Sequence, residues 1–173
     1  MAGGAAEKAQ RAFREAIRIK PEYADARSNL ASVLEGAGRT GEARAEFEEA
    51  LALRPSDAAT RYNYAMLLGR ARMYDAAQRE LEECLRTDGE FREAHQVLGD
   101  LLMGKGQARE AAAHFREVLR MKPDSGRAQL GMGVALAALG DKKGAVAYLG
   151  KASKDGDAGV RAQAAEVLRQ MGR

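Results

Sequence analysis

The chain has 173 residues, 46% of them hydrophobic, with three prolines, no tryptophan, a single cysteine and a formal charge of +3 from 28 basic and 25 acidic side chains. One cysteine excludes an intramolecular disulfide, no apolar run approaches the roughly 18 residues of a membrane-spanning helix, and no run of like charge points to nucleic acid. Ala, Leu, Glu and Arg dominate, a mixture that prefers helix, so an all-α chain with neither nucleic-acid binding nor membrane insertion is expected. Residues 1–10 lack the apolar core of a signal peptide, and a cytoplasmic location is the expectation.

The first predicted helix runs from Ala5 to Ile19, with Ala9, Phe13, Ala16 and Ile17 on one face and Pro21 beyond its end. Four of those residues return 34 positions later as Ala43, Phe47, Ala50 and Pro55, in the second helix of a two-helix unit. The array therefore opens on half a repeat, residues 5–23, as expected of a piece cut from a longer protein. The first full repeat, 24–57, has a helix over Ala24–Gly36 with Leu30, Ala31 and Leu34 inward, a turn punctuated by Gly36, Gly38 and Gly41, and a helix from about Glu42 to Leu53. Arg54-Pro55 stops that helix, because proline disfavours helical geometry at the residue before it.

Repeats 58–91, 92–125 and 126–160 follow at the same period. Their inward residues are Tyr64, Ala65, Leu68, Ala77, Leu81 and Cys84; then Leu98, Gly99, Leu102, Ala111, Phe115 and Val118; then Met132, Gly133, Leu136, Ala145, Leu149 and Ala152. Cys84 falls in a column of small residues and is expected to be buried. Gly89 replaces the closing proline of its repeat and is expected to end the helix in a left-handed conformation. A last helix, 161–173, turns Ala164, Val167, Leu168 and Met171 inward and shows Arg161, Gln163, Glu166, Arg169 and Gln170 to solvent as a cap. Small residues at Ala31, Ala65, Gly99 and Gly133, set against Ala43, Ala77, Ala111 and Ala145, predict close helix approach.

Several stretches imitate chemistry. Gly36-Ala-Gly38-Arg-Thr-Gly41 spells GxGxxG, but it lies between two predicted helices with no strand before it, so it reads as a turn. Gly99 to Lys105 approaches a phosphate loop, but glycine at 106 replaces the hydroxyl that would hold magnesium. His95 and His114 lack metal-ligand spacing and are expected to be structural, and the acidic pairs Glu48-Glu49 and Glu82-Glu83 to be solvated. No catalytic constellation, metal site or cofactor site emerges, and the chain is expected not to be an enzyme.

The fourfold column pattern of Leu, Gly/Ala, Leu, Gly, Ala, Phe/Leu, Ala and Pro resembles the tetratricopeptide repeat family over nearly the whole chain. It departs at Arg72, where other repeats have Gly38, Gly106 and Gly140, and at Gly89 and Asp157 in the proline column. The resemblance implies a right-handed superhelical solenoid of antiparallel helix pairs whose first helices line a concave face. On that face it places Asp25, Ser28, Asn29 and Ser32; Tyr62, Asn63, Met66 and Arg70; Gln96, Asp100 and Met103; and Arg127, Leu130 and Val134. Asn29 and Asn63 share a column and look like two rungs of the asparagine ladder that grips peptide backbone in the tetratricopeptide arm of O-linked N-acetylglucosamine transferases; Val97 and Gly131 end it. A clamp for a chaperone's terminal carboxylate is not expected, since Glu93 and Val97 stand where its cationic donors would be. The expected function is a protein-interaction scaffold holding a peptide of its partner. Alternatives are a substrate-recruiting arm of a larger enzyme such as a glycosyltransferase, and an adaptor that self-assembles head to tail through the half repeat around Phe13 and Ile17.

Overall fold

A computed structural model describes residues 2–172, with side chains from residue 4 onward. Among the described residues there are ten helices and no strand. They divide into two compact units, one ending at Gly89 and one beginning at Glu90.

The first unit holds α1 (Ala2–Ile19), α2 (Ala24–Gly36), α3 (Thr40–Leu53), α4 (Ala58–Arg70) and α5 (Tyr74–Thr87). Each helix packs on the next, and α2 also touches α4. The predicted stripe is the core: Leu30, Ala31, Leu34, Ala43, Phe47, Ala65, Leu68, Ala77, Leu81 and Cys84 are all within 2% of full burial. Phe13 occupies the column of Phe47 yet is only half-buried, because α1 packs mainly against α2 and has no helix on its other side among the described residues, with Arg14 reaching Glu42 of α3 at 3.7 Å.

The second unit holds α6 (Arg92–Gly104), α7 (Ala108–Met121), α8 (Gly126–Ala138), α9 (Lys142–Ala152) and α10 (Ala158–Met171). Consecutive helices pack here too, and α8 also meets α6 and α10. Phe115, Val118, Leu98, Ala145, Leu149 and Ala164 are buried, with Leu136, Val167, Leu168 and Met171 half-buried around them.

Turn chemistry explains both departures from the repeat pattern. Gly38, Gly106 and Gly140 sit at φ of 74°, 75° and 84°, and Arg72, in the same column, is held at 60°. The turn is thus conserved and the arginine bears the strain, at a cost of about 1 kcal/mol. Gly89 corrects the expectation set for it, since it does not take a left-handed conformation. Instead α5 ends at an extended Asp88 (φ −135°, ψ 93°), as α3 ends at Arg54 (−137°, 79°) and α7 at Lys122 (−139°, 87°), each backbone N–H bonding the carbonyl four residues earlier. The exit geometry survives where the proline does not.

Close approach is also reassigned. A Cβ on Gly99 would lie 2.7 Å from the Phe115 ring, and one on Gly133 would lie 2.7 Å from Leu149. Gly99 and Gly133 thus make room for the large residues Phe115 and Leu149, one turn beyond Ala111 and Ala145, and the Leu149 backbone N would lie 3.2 Å from a Cβ on Gly133.

Candidate functional site

In the first unit the α2 and α4 residues expected to meet a partner separate into two kinds. The charged ones are already engaged. The Arg54 guanidinium donates to both oxygens of Asp25, at 2.7 and 3.1 Å, and holds its carboxyl below the usual range. Arg70 donates through Nε and Nη2 to Glu35, tying α4 to α2 beside a 180 Å³ pocket lined by those two residues, Thr40, Leu67 and Ala71. Ser28 corrects the sequence expectation: it is only 8% exposed, and its hydroxyl accepts a 2.9 Å bond from Thr60, so it joins helices instead of facing outward.

The polar neutral residues remain open. Asn29 and Asn63 are exposed, and neither amide has a hydrogen-bond partner among the described residues. Ser32 is exposed with its hydroxyl donated to the Ser28 carbonyl, while Tyr62 and Met66 are half-buried beside Asn63. A primary amide can donate to a peptide carbonyl and accept from a peptide N–H at once, which fits it to an extended backbone.

In the second unit a polar relay crosses from α6 to α8. Gln96 Nε2 donates to Asp100 Oδ1 at 3.1 Å, and Arg127 Nη2 donates to Asp100 Oδ2 at 2.5 Å. Gln96, expected on the open face, is only 8% exposed, and its Oε1 is buried with no hydrogen-bond partner among the described residues. The Leu130 and Val134 side chains form the shared wall of two grooves of about 460 Å³ each. One is completed by Asp100, Met103, Phe115, Arg127, Gly131 and Gln163; the other by Ala162, Gln163, Glu166 and Val167. Gln163 and Glu166 are exposed, as expected of a solvating cap, and also line these grooves. Val167, one turn beyond buried Ala164, carried that signal, but α10 matches the first-helix columns only with one residue inserted in the exit, 154–159, which obscured the register.

Phe115 crowds Gly131, the fourth position of the asparagine column, which Val97 has already interrupted at the third. A Cβ on Gly131 would lie 2.6 Å from its ring, so the ring fills the space a fourth rung would need. Two further expectations change. Glu48 is not merely solvated: it accepts from Arg44 and, at 2.8 Å, from the hydroxyl of buried Tyr64, and both bonds lower its pKa. His95 Nδ1 and His114 Nδ1 lie 2.9 Å apart, bridging α6 and α7. Arg27–Glu46 and Arg61–Glu80 bridge the two earlier hairpins at the same 19-residue separation, at 2.9 and 2.7 Å. The histidines replace an ion pair at an equivalent position, a relation visible in the sequence once those columns are aligned. Among the described residues no group of three or more His, Cys, Asp or Glu could hold a metal ion.

Family models for the tetratricopeptide repeat match residues 1–58 and 97–159, and a second such model matches 34–101. The chain belongs to the tetratricopeptide repeat family, and its fold is the all-α helix-turn-helix repeat architecture of that family's solenoids. Among solved structures, MamA is 20% identical with a TM-score of 0.79, covering 87% of this chain and 88% of its own. YrrB, described as a TPR protein with an unusual peptide-binding site, is 22% identical with a TM-score of 0.80, covering 95% and 86%. PilF of Pseudomonas aeruginosa is 24% identical with a TM-score of 0.79, covering 98% and 81%. No curated protein matches the chain.

Proposed function

We propose that this chain is a non-catalytic interaction scaffold that holds a peptide segment of a partner protein on the faces of its first helices. The observation that carries the reading is the contrast on those faces. Their charges are neutralised within the fold by Arg54–Asp25, Arg70–Glu35 and Arg127–Asp100, whereas the amides of Asn29 and Asn63 and the apolar walls at Leu130 and Val134 are left unused. Amides suit a peptide backbone and apolar grooves suit uncharged side chains, so the face of each unit by itself favours an extended, largely uncharged peptide. YrrB's description as peptide-binding supports this by likeness of fold.

The test uses peptides selected on the immobilised chain from a random library, with binding then measured by calorimetry. N29A/N63A and L130S/V134S are each expected to weaken binding roughly tenfold or more, since each removes about 1–2 kcal/mol. Glu49→Ala, on the exposed side of α3, is expected to change nothing. Equal losses in all three variants would remove the assignment. Glu48 is unsuitable as the control because it anchors Tyr64.

A further inference from the structure

The second helix α9 departs from its counterparts in charge. Each of α1, α3, α5 and α7 carries an internal ion pair, Arg18–Glu15, Arg44–Glu48, Arg86–Glu83 and Arg120–Glu117 respectively. In contrast, α9 has no acidic residue: its charged side chains are Lys142, Lys143 and Lys151, and Lys154 follows just past its end. None of the four has an ion-pair partner among the described residues. The flanking carboxylates are turned to backbone N–H groups, Asp141 to Gly144, Asp155 to Asp157, and Asp157 to Gly159 and Val160. Residues 141–157, α9 with its flanks, carry four lysines against three aspartates, and each aspartate is occupied with backbone N–H groups.

The helix dipole favours Lys151, in the last turn, but not the two lysines at the start. Lys142 and Lys143 occupy the first turn, where the helix dipole disfavours cations. Ala145, Leu149 and Ala152 face the core, and the helical repeat sets Lys143, Ala147 and Lys151 on the opposite side, over about 12 Å, with exposed Lys142 and Lys154 at the two ends. Between the lysines the surface is low, with Ala147 and Gly150, and apolar, with Val146 50% exposed.

We propose that the outward face of α9 docks on an anionic lipid bilayer. The cluster has no arginine, whose fork reads nucleic-acid phosphates and base edges, and a single helix face offers no pocket for the anchor residue of a protein partner. A bilayer asks less of geometry: each lysine near its surface strengthens binding about fivefold, Lys151 included although its ammonium lies 5.3 Å from the Tyr148 ring. It also rewards an exposed aliphatic residue such as Val146, which can enter the headgroup boundary while Ala147 and Gly150 let the backbone approach the plane.

Vesicle flotation tests this with the whole chain and two lipid compositions, phosphatidylcholine alone and phosphatidylcholine mixed with phosphatidylglycerol. Binding to the mixed vesicles alone is expected, weakening as salt rises. The variant K142Q/K143Q/K151Q/K154Q is expected to lose roughly 100-fold or more of that binding, given the fivefold effect of each lysine. A variant with the same charge change elsewhere, K8Q/R11Q/R18Q/K20Q, is expected to retain it. Val146→Ser is expected to weaken vesicle binding while leaving its salt dependence unchanged. All four lysines are exposed, so circular dichroism melts of the variants are expected to match the parent. The proposal is overturned if the two quadruple variants lose binding equally, if anionic vesicles do not bind at low salt, or if a short DNA duplex binds through these lysines more tightly than the vesicles do.

Discussion

Phe115 shows how one residue sets both packing and site. Its ring lies between Gly99 of α6 and Gly131 of α8, fully buried, and also lines the groove beside Leu130 and Val134. Replacing Gly131 by asparagine, which would restore the column of Asn29 and Asn63, is expected to cost about 1–3 kcal/mol by overpacking, seen as a lower melting temperature. A gain in stability would show that the ring moves aside freely. Arg72 offers the opposite change. Arg72→Gly is expected to stabilise the protein by about 1 kcal/mol, because its left-handed backbone is strained for every residue but glycine; a denaturant midpoint that does not rise would contradict that strain.

Helix pairs are held by struts that repeat with the sequence. Arg27–Glu46, Arg61–Glu80 and His95–His114 join the two helices of successive hairpins at one shared position. The double substitution H95R/H114E is therefore expected to leave stability within about 1 kcal/mol of the parent, the modest contribution of a partly exposed pair. His114→Glu alone, which abolishes the ring-to-ring bond, is expected to be less stable than the double variant. Within α5, Cys84 is fully buried, donates its thiol to the Ala58 carbonyl at 3.2 Å, and has its pKa pushed up to about 11 by burial. Reaction with a disulfide reagent at pH 8 is expected to be slow in the native protein and to accelerate with unfolding in urea. Rapid labelling of the native chain would place α5 differently.

For the molecule taken whole, acid is the expected weakness. Asp25 beside Arg54, Glu48 beside Arg44 and Tyr64, and Glu93 beside Arg92 are all held below the usual carboxylate range. Lowered folded values mean that their stabilisation is complete above the unfolded pKa, about 4, and is lost as pH falls through the folded values. Melting temperature is expected to be flat from pH 6 to 8 and to fall gradually below about pH 4, the fall being gentle because exposed pairs contribute little. The fold was legible in the sequence because burial repeats every 34 residues, so each of Leu30, Leu34 and Phe47 is read again in its copies. The site was only partly legible. Phase finds the exposed side of a helix, but it cannot show that Thr60 covers Ser28 or that Arg54 reaches back to Asp25 over 29 residues. Nor can it show that α10 supplies a groove wall across an irregular exit. The most direct test of peptide capture is a two-dimensional NMR titration with a library-selected peptide, following the Asn29 and Asn63 side-chain amides and the Leu130 and Val134 methyls. Peptide capture predicts that these signals shift first as peptide is added; shifts confined to α3, α5 or the lysine face of α9 would contradict it.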